Sequence, residues 1–157
     1  MITVATGTEL VKDVFPGTGG SAPVPPLGPY SEESLDRPTP YAALGDVLLF
    51  AANDGAHGLE LWRSDGTTDG TWMVLDVPED LKGSGLRCLT AADDLLFFFA
   101  GSTYAGAELW RSDGTPEGTF PVKKTEPCWR DSALVPLGKS VCFFGADGGS
   151  DFGLWRS

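Results

Sequence analysis

The side chains equipped for chemistry are few and spread thinly along the chain. The one histidine, His57, stands in Asp54-Gly55-Ala56-His57-Gly58. No second histidine or cysteine lies at metal-ligand spacing from it, and no GxSxG or phosphate-cradling glycine loop occurs, so nucleophilic and zinc chemistry lack their parts. Two acids recur in register, Glu60 and Glu108, but the third copy has Gly153 instead. An enzyme built on this pattern would need acids converging on one axis, and the loss at Gly153 argues against such a ring. Oxygen-rich loops, Asn53-Asp54-Gly55 and Asp147-Gly148-Gly149-Ser150-Asp151, make Asp54, Asp147 and Asp151 calcium candidates. Their spacing is not that of an EF-hand, and the middle copy reads Gly101-Ser102-Thr103, without an acid. Asx turn formation is the competing explanation, and no resident cofactor is expected.

Cys88, Cys128 and Cys142 are odd in number and lack a CxxC spacing, which argues against a disulfide framework or a zinc site. A formal charge of −11, from 11 Lys+Arg against 22 Asp+Glu, repels phosphate backbones and anionic surfaces, so no nucleic-acid role is expected. No apolar run is longer than Leu95 to Ala100, which is far too short for a membrane span. The first residues show neither a basic n-region nor an apolar h-region, so no signal peptide is expected in this chain.

What must position these residues is a repeat. Glu60-Leu61-Trp62-Arg63-Ser64-Asp65-Gly66-Thr67 returns unchanged as Glu108 to Thr115, and Leu154-Trp155-Arg156-Ser157 is a shortened third copy. Trp62 and Trp110 lie 48 residues apart, Trp110 and Trp155 45 apart. Periods of about 40–50 residues belong to helical solenoids or to four-stranded propeller blades. Each period here holds short apolar, aromatic and β-branched runs cut by Gly and Asp-Gly, with no sustained 3.6-residue periodicity, which excludes the helical alternative.

The pattern predicts three repeats of antiparallel strands, over 40–77, 86–124 and 133–157. Within them the strands are Pro40–Ala43, Val47–Ala52, Leu59–Ser64 and Thr71–Val77; Leu86–Ala91, Leu95–Ala100, Ala107–Ser112 and Thr119–Lys124; and Ala133–Pro136, Ser140–Gly145 and Phe152–Arg156. Leu95 to Ala100 is apolar throughout and should be buried on both faces. The third repeat lacks a fourth strand, and residues 7–14 align with Gly70 to Val77. They are expected to complete the last blade, with 15–39 a Pro/Gly-rich connector.

Within the octapeptide, Asp65-Gly66 and Asp113-Gly114 carry a hairpin signal, with Thr67 and Thr115 expected to restart the strand. Trp62, Trp110 and Trp155 are expected to pack between adjacent sheets. This octapeptide, followed by Thr-Asp-Gly-Thr or Pro-Glu-Gly-Thr and preceded by Phe50-Ala51-Ala52-Asn53-Asp54-Gly55, resembles the bacterial ELWxxDGT repeat family. That resemblance implies a propeller-like array, usually in exported or surface-associated bacterial proteins, with no established activity.

A closed propeller needs roughly 4–8 blades. Three per chain therefore predicts a head-to-tail homodimer of six, or else a piece of a larger exported array. The functional expectation is a non-enzymatic scaffold that binds a protein or glycan through loops on one face. A lectin-like propeller is the alternative, weakened because Trp72 and Trp129 fall at different positions of the repeat.

Overall fold

The computed structural model describes residues 7–14, 41–78, 85–102, 106–127, 133–146 and 153–157. Among them every regular element is a strand, and no helix is long and apolar enough to cross a membrane. The first repeat forms β1 (Tyr41–Leu44), β2 (Val47–Asn53), β3 (Leu59–Ser64) and β4 (Trp72–Leu75). The second forms β5 (Leu86–Ala92), β6 (Leu95–Ser102), β7 (Gly106–Ser112) and β8 (Phe120–Pro127), and the third β9 (Val135–Leu137), β10 (Ser140–Ala146) and β11 (Gly153–Arg156). Strands pair in sequence order and antiparallel, giving sheets of four, four and three strands. The second and third sheets touch at one corner, where Gly145 and Ala146 of β10 pair with Pro127 and Glu126 of β8. The described residues close neither a barrel nor a ring of sheets.

Side chains alternate across each strand, so an apolar strand between two sheets contributes to two cores at once. β6 does this. Leu96, Phe98 and Ala100 pack with Leu49, Ala51 and Leu61 of the first sheet, while Phe97 and Phe99 pack with Val141 and Phe143 of the third. Phe99 meets Phe143 edge-on, ring centroids 5.5 Å apart. Each fully buried Phe contributes about 1.5–3 kcal/mol of burial.

Local chemistry places the turns and bends. β1–β2, β5–β6 and β9–β10 are joined by two-residue connections whose first residue is left-handed: Gly45 (φ 59°), Asp93 (φ 57°) and Gly138 (φ 61°). Such tight hairpins require positive φ, which Gly adopts freely and Asp tolerates. Opposite each buried tryptophan the outer strand carries one extra residue. The β3–β4 register shifts at Leu61/Trp62 and the β7–β8 register at Leu109/Trp110. A bulge there also admits Pro121, which has no amide hydrogen to offer a ladder.

Several expectations are corrected. Residues 7–14 form no strand; instead Lys12 Nζ donates to the Thr71 carbonyl (2.6 Å) and Thr68 Oγ1 to the Val11 carbonyl (2.7 Å). The segment is thus tied to the β3–β4 turn of the first repeat by polar contacts. Leu10, which would anchor it in a sheet, is 80% exposed. Among the described residues the third sheet therefore has three strands, β9, β10 and β11. The connector 15–39 lies outside the described residues.

Candidate functional site

The repeated octapeptide ends in a polar turn built the same way twice. β3 stops at Ser64 and β4 begins at Trp72, so the connection is not the two-residue hairpin that Asp-Gly suggests. Asp65 Oδ1 accepts from the Thr67 amide (2.9 Å) and the Thr67 hydroxyl (2.7 Å). Thr67 Oγ1 in turn accepts from Gly70 N, and Thr71 Oγ1 donates to the Thr67 carbonyl. Because that donation uses the only hydroxyl proton of Thr71, Ser64 Oγ must donate to Thr71 Oγ1 (2.7 Å) while accepting from Gly66 N. The second copy repeats the pattern with Ser112, Asp113, Gly114, Thr115, Gly118 and Thr119, its distances within 0.2 Å of the first.

Thr67 and Thr115 therefore do not restart the strand. They are the hubs of the turn, and they hold the Asp65 and Asp113 carboxyls below the usual range, chiefly through the hydroxyl bond. Gly66 and Gly114 take φ 87° in both copies, the backbone role expected of them. Gly70 and Gly118 serve differently. A Cβ on either would lie 1.9–2.2 Å from the carboxylate of Asp65 or Asp113. Sequence reasoning missed this second glycine, although its return five residues after each Asp was a visible signal.

The candidate acids are tied into the framework. Glu60 is fully buried and its carboxylate accepts the amide of Val77, pinning the chain where it leaves β4. Glu108 is half-buried, in register with Lys124 of β8, and Gly153 occupies the equivalent place in β11. The three positions thus have three different environments. A shared catalytic role would require one.

Asp54 is the calcium candidate among the described residues, and its oxygens are already engaged. Oδ1 accepts from the amides of Ala56 and His57, each at 2.9 Å, and Oδ2 lies 2.7 Å from His57 Nδ1. Asn53 Oδ1 takes the Gly55 amide. Asp147 and Asp151 lie outside the described residues, and no group of three His, Cys, Asp or Glu side chains is placed to hold a metal among those described. Cys88 and Cys142 are in no disulfide and are half-buried; Cys128 is outside the described residues. Burial pushes the Cys88 thiol above its ordinary value, away from the reactive thiolate.

Asp54 and His57 form a pair with a clear pH signature. The amide and side chain of His57 lower the Asp54 carboxyl to about 2, and the Asp54 side chain raises His57 above its ordinary 6.5. A raised histidine favours the fold below pH 6.5, an advantage lost as pH rises through its folded value. The depressed carboxyl favours the fold above 3.8 and loses that effect as pH falls through about 2. In an NMR titration the His57 ring is expected to titrate above 6.5, and Asp54→Asn to bring it back down. An unchanged midpoint in that variant would show that the pair does not form in solution.

The tryptophans occupy related but unequal places. Trp110 is buried against Phe98, centroids 6.2 Å apart, and Trp62 is buried at the same register of the first sheet. Trp155 is half-buried, with Lys123 Nζ 4.5 Å from its ring centroid and its Nε1 donating to the Gly145 carbonyl. Trp72 has the Arg63 guanidinium 5.1 Å from its ring. Trp129 is outside the described residues.

Compared with family models, curated proteins and solved structures, the chain gives no match. Its surfaces must therefore speak for its function, and one stands out. On the third sheet Val135, Leu137, Phe144 and Leu154 are all more than half exposed. The register puts them together: Phe144 faces Leu154 across β10–β11, Cys142 faces Val135 and Arg156, and Ser140 faces Leu137. With a period of two, all lie on one face of the sheet. Exposed apolar side chains gathered on one face in this way are uncommon on a lone domain.

Proposed function

We propose that this chain is a non-enzymatic interaction scaffold of the ELWxxDGT-repeat kind, its sheets acting as propeller blades and a protein partner docking on an apolar sheet face. The observation that carries this reading is the outward face of the third sheet, where Phe144 and Leu154 lie open side by side. The rest of the repeat supports it from the other direction. Asp65, Asp113 and their threonines satisfy their own turns, and Glu60 holds a backbone amide.

A protein is favoured over a glycan because Trp72, Phe120 and Trp155 each have a cationic side chain of this chain over the ring. Arg63 covers Trp72, Arg111 covers Phe120 at 4.8 Å, and Lys123 covers Trp155. A glycan array should retain none of the protein. Retention that disappears in Trp72→Ala would establish the lectin alternative and overturn this reading. Phe144→Asp combined with Leu154→Asp should keep wild-type far-UV circular dichroism and cooperative unfolding, because both side chains are more than half exposed. Loss of folding would show that face to be core.

A further inference from the structure

The three sheets stack in one direction. Each has a forward face that meets the next sheet and a rear face that meets the one before. Leu44, Ala51 and Leu61 are forward residues of the first sheet, and all three are buried against the second. Their equivalents Ala92, Phe99 and Leu109 are buried against the third. The next set in register is Leu137, Phe144 and Leu154, and here burial stops. Phe99 and Leu109 are each 1% exposed, Phe144 60% and Leu154 66%.

The rear faces mirror this. Leu89, Leu96 and Phe98 of the second repeat are buried, as are Leu134, Val141 and Phe143 of the third. In the first repeat the same positions are Tyr41, Leu48 and Phe50. Tyr41 is 55% exposed and Leu48 41%, whereas Leu96 and Val141 are both fully buried. One chain thus carries an open forward face on its third sheet and a rear face on its first sheet that is open at Tyr41 and Leu48, though Trp62 on that face is buried, each built from the residue types that mate inside it twice.

We propose that the forward face of the third sheet is docked by the rear face of the first sheet of a second copy of this chain, a head-to-tail contact that repeats the internal one. This rests on the interaction-scaffold reading above and names the partner. A polar contact would accompany the apolar one. Arg63 reaches from the forward face of the first sheet to the Gly114 carbonyl in the turn of the second, at 3.4 Å. Arg156, at the same repeat position, is exposed and would reach the Gly66 carbonyl of the second copy in the same way. Two chains mating at both ends bring six sheets together, a number at which propellers close.

Such a heterologous contact has a signature that no like-to-like contact shares. Light scattering at tens of micromolar protein and about 0.15 M salt, where the acidic surfaces are screened, should give twice the 16.6 kDa chain mass. Phe144→Asp/Leu154→Asp, with a blocked forward face, and Tyr41→Asp/Leu48→Asp, with a blocked rear face, should each be monomeric, their self-affinity weakened at least roughly 100-fold. Mixed in equal amounts, the two should recover a two-chain species through the one intact pairing.

A wild-type chain that stays monomeric at about 100 µM would overturn the self-docking, and would leave the interaction-scaffold reading standing if the glycan array is also blank. A variant that alone associates like the wild type would overturn it too, because only one kind of face would then be in use. Hydrogen exchange on the wild type provides a readout free of any mutation. Amides of Val135–Leu137 and Gly153–Arg156 should lose protection on dilution, together with those of Tyr41–Leu44. Concentration-independent exchange at both ends would also overturn the proposal.

Discussion

Replacing Phe98 with alanine is expected to destabilise the fold by about 3–5 kcal/mol, the range for deleting a large aromatic from a core that cannot collapse around the void. Phe98 has no exposed surface, sits on the central strand of the central sheet, and stacks on Trp110. Its ring belongs to the core that joins the first two repeats, alongside Leu49, Leu61 and Val74. Neighbours held by ladders on both sides cannot move in to fill the space. For a domain of this size the loss corresponds to a fall in melting temperature of roughly 10 °C. Urea unfolding followed by tryptophan fluorescence measures it directly. A loss below about 1 kcal/mol would mean that the first two sheets do not pack through this residue.

The second large effect is expected at Gly118, whose replacement by alanine should destabilise the fold by about 2 kcal/mol. Gly118 does not need a special φ; it needs to be bare. A Cβ there would fall 2.0–2.1 Å from the carboxylate atoms of Asp113, which must then swing away. Swinging away breaks both bonds to Thr115, to its amide at 2.9 Å and its hydroxyl at 2.7 Å. Asp113→Ala removes the same two bonds and should weaken the fold by a similar amount. The double variant should therefore be little worse than either single one, a strongly non-additive pair. Simple additivity in denaturant titrations would show that Gly118 acts through the backbone instead.

These two residues also mark where sequence reading succeeded and where it stopped. Phe98 was identifiable from sequence because Leu95 to Ala100 is apolar at every position, the pattern of a strand covered on both faces, although the equally apolar Val47 to Ala52 leaves Leu48 41% exposed. Gly118 was not, because its reason lies in a carboxylate five residues earlier that folds back over it. Thr67 and Thr115 were misjudged on the same ground: β-branched residues favour strands, but a hydroxyl that can bond a nearby carboxylate and amide is better satisfied in the turn. Residues 7–14 align with Gly70 to Val77, yet the alignment carried no information about which surface would receive them. Lys12 settles on the carbonyls of the first turn.

The sequence alone determined that this is an array of short antiparallel strands, three times repeated, with its tryptophans and apolar strands in the same places each time. Local pattern suffices for that, because side-chain alternation and turn chemistry act over a few residues. Tertiary structure decided what each repeated residue faces. Leu109 and Leu154 occupy the same place in their repeats, and one is buried while the other is open, because only the first has another sheet stacked upon it. Burial is a property of neighbours brought from far along the chain, and no local pattern specifies whether such a neighbour is there.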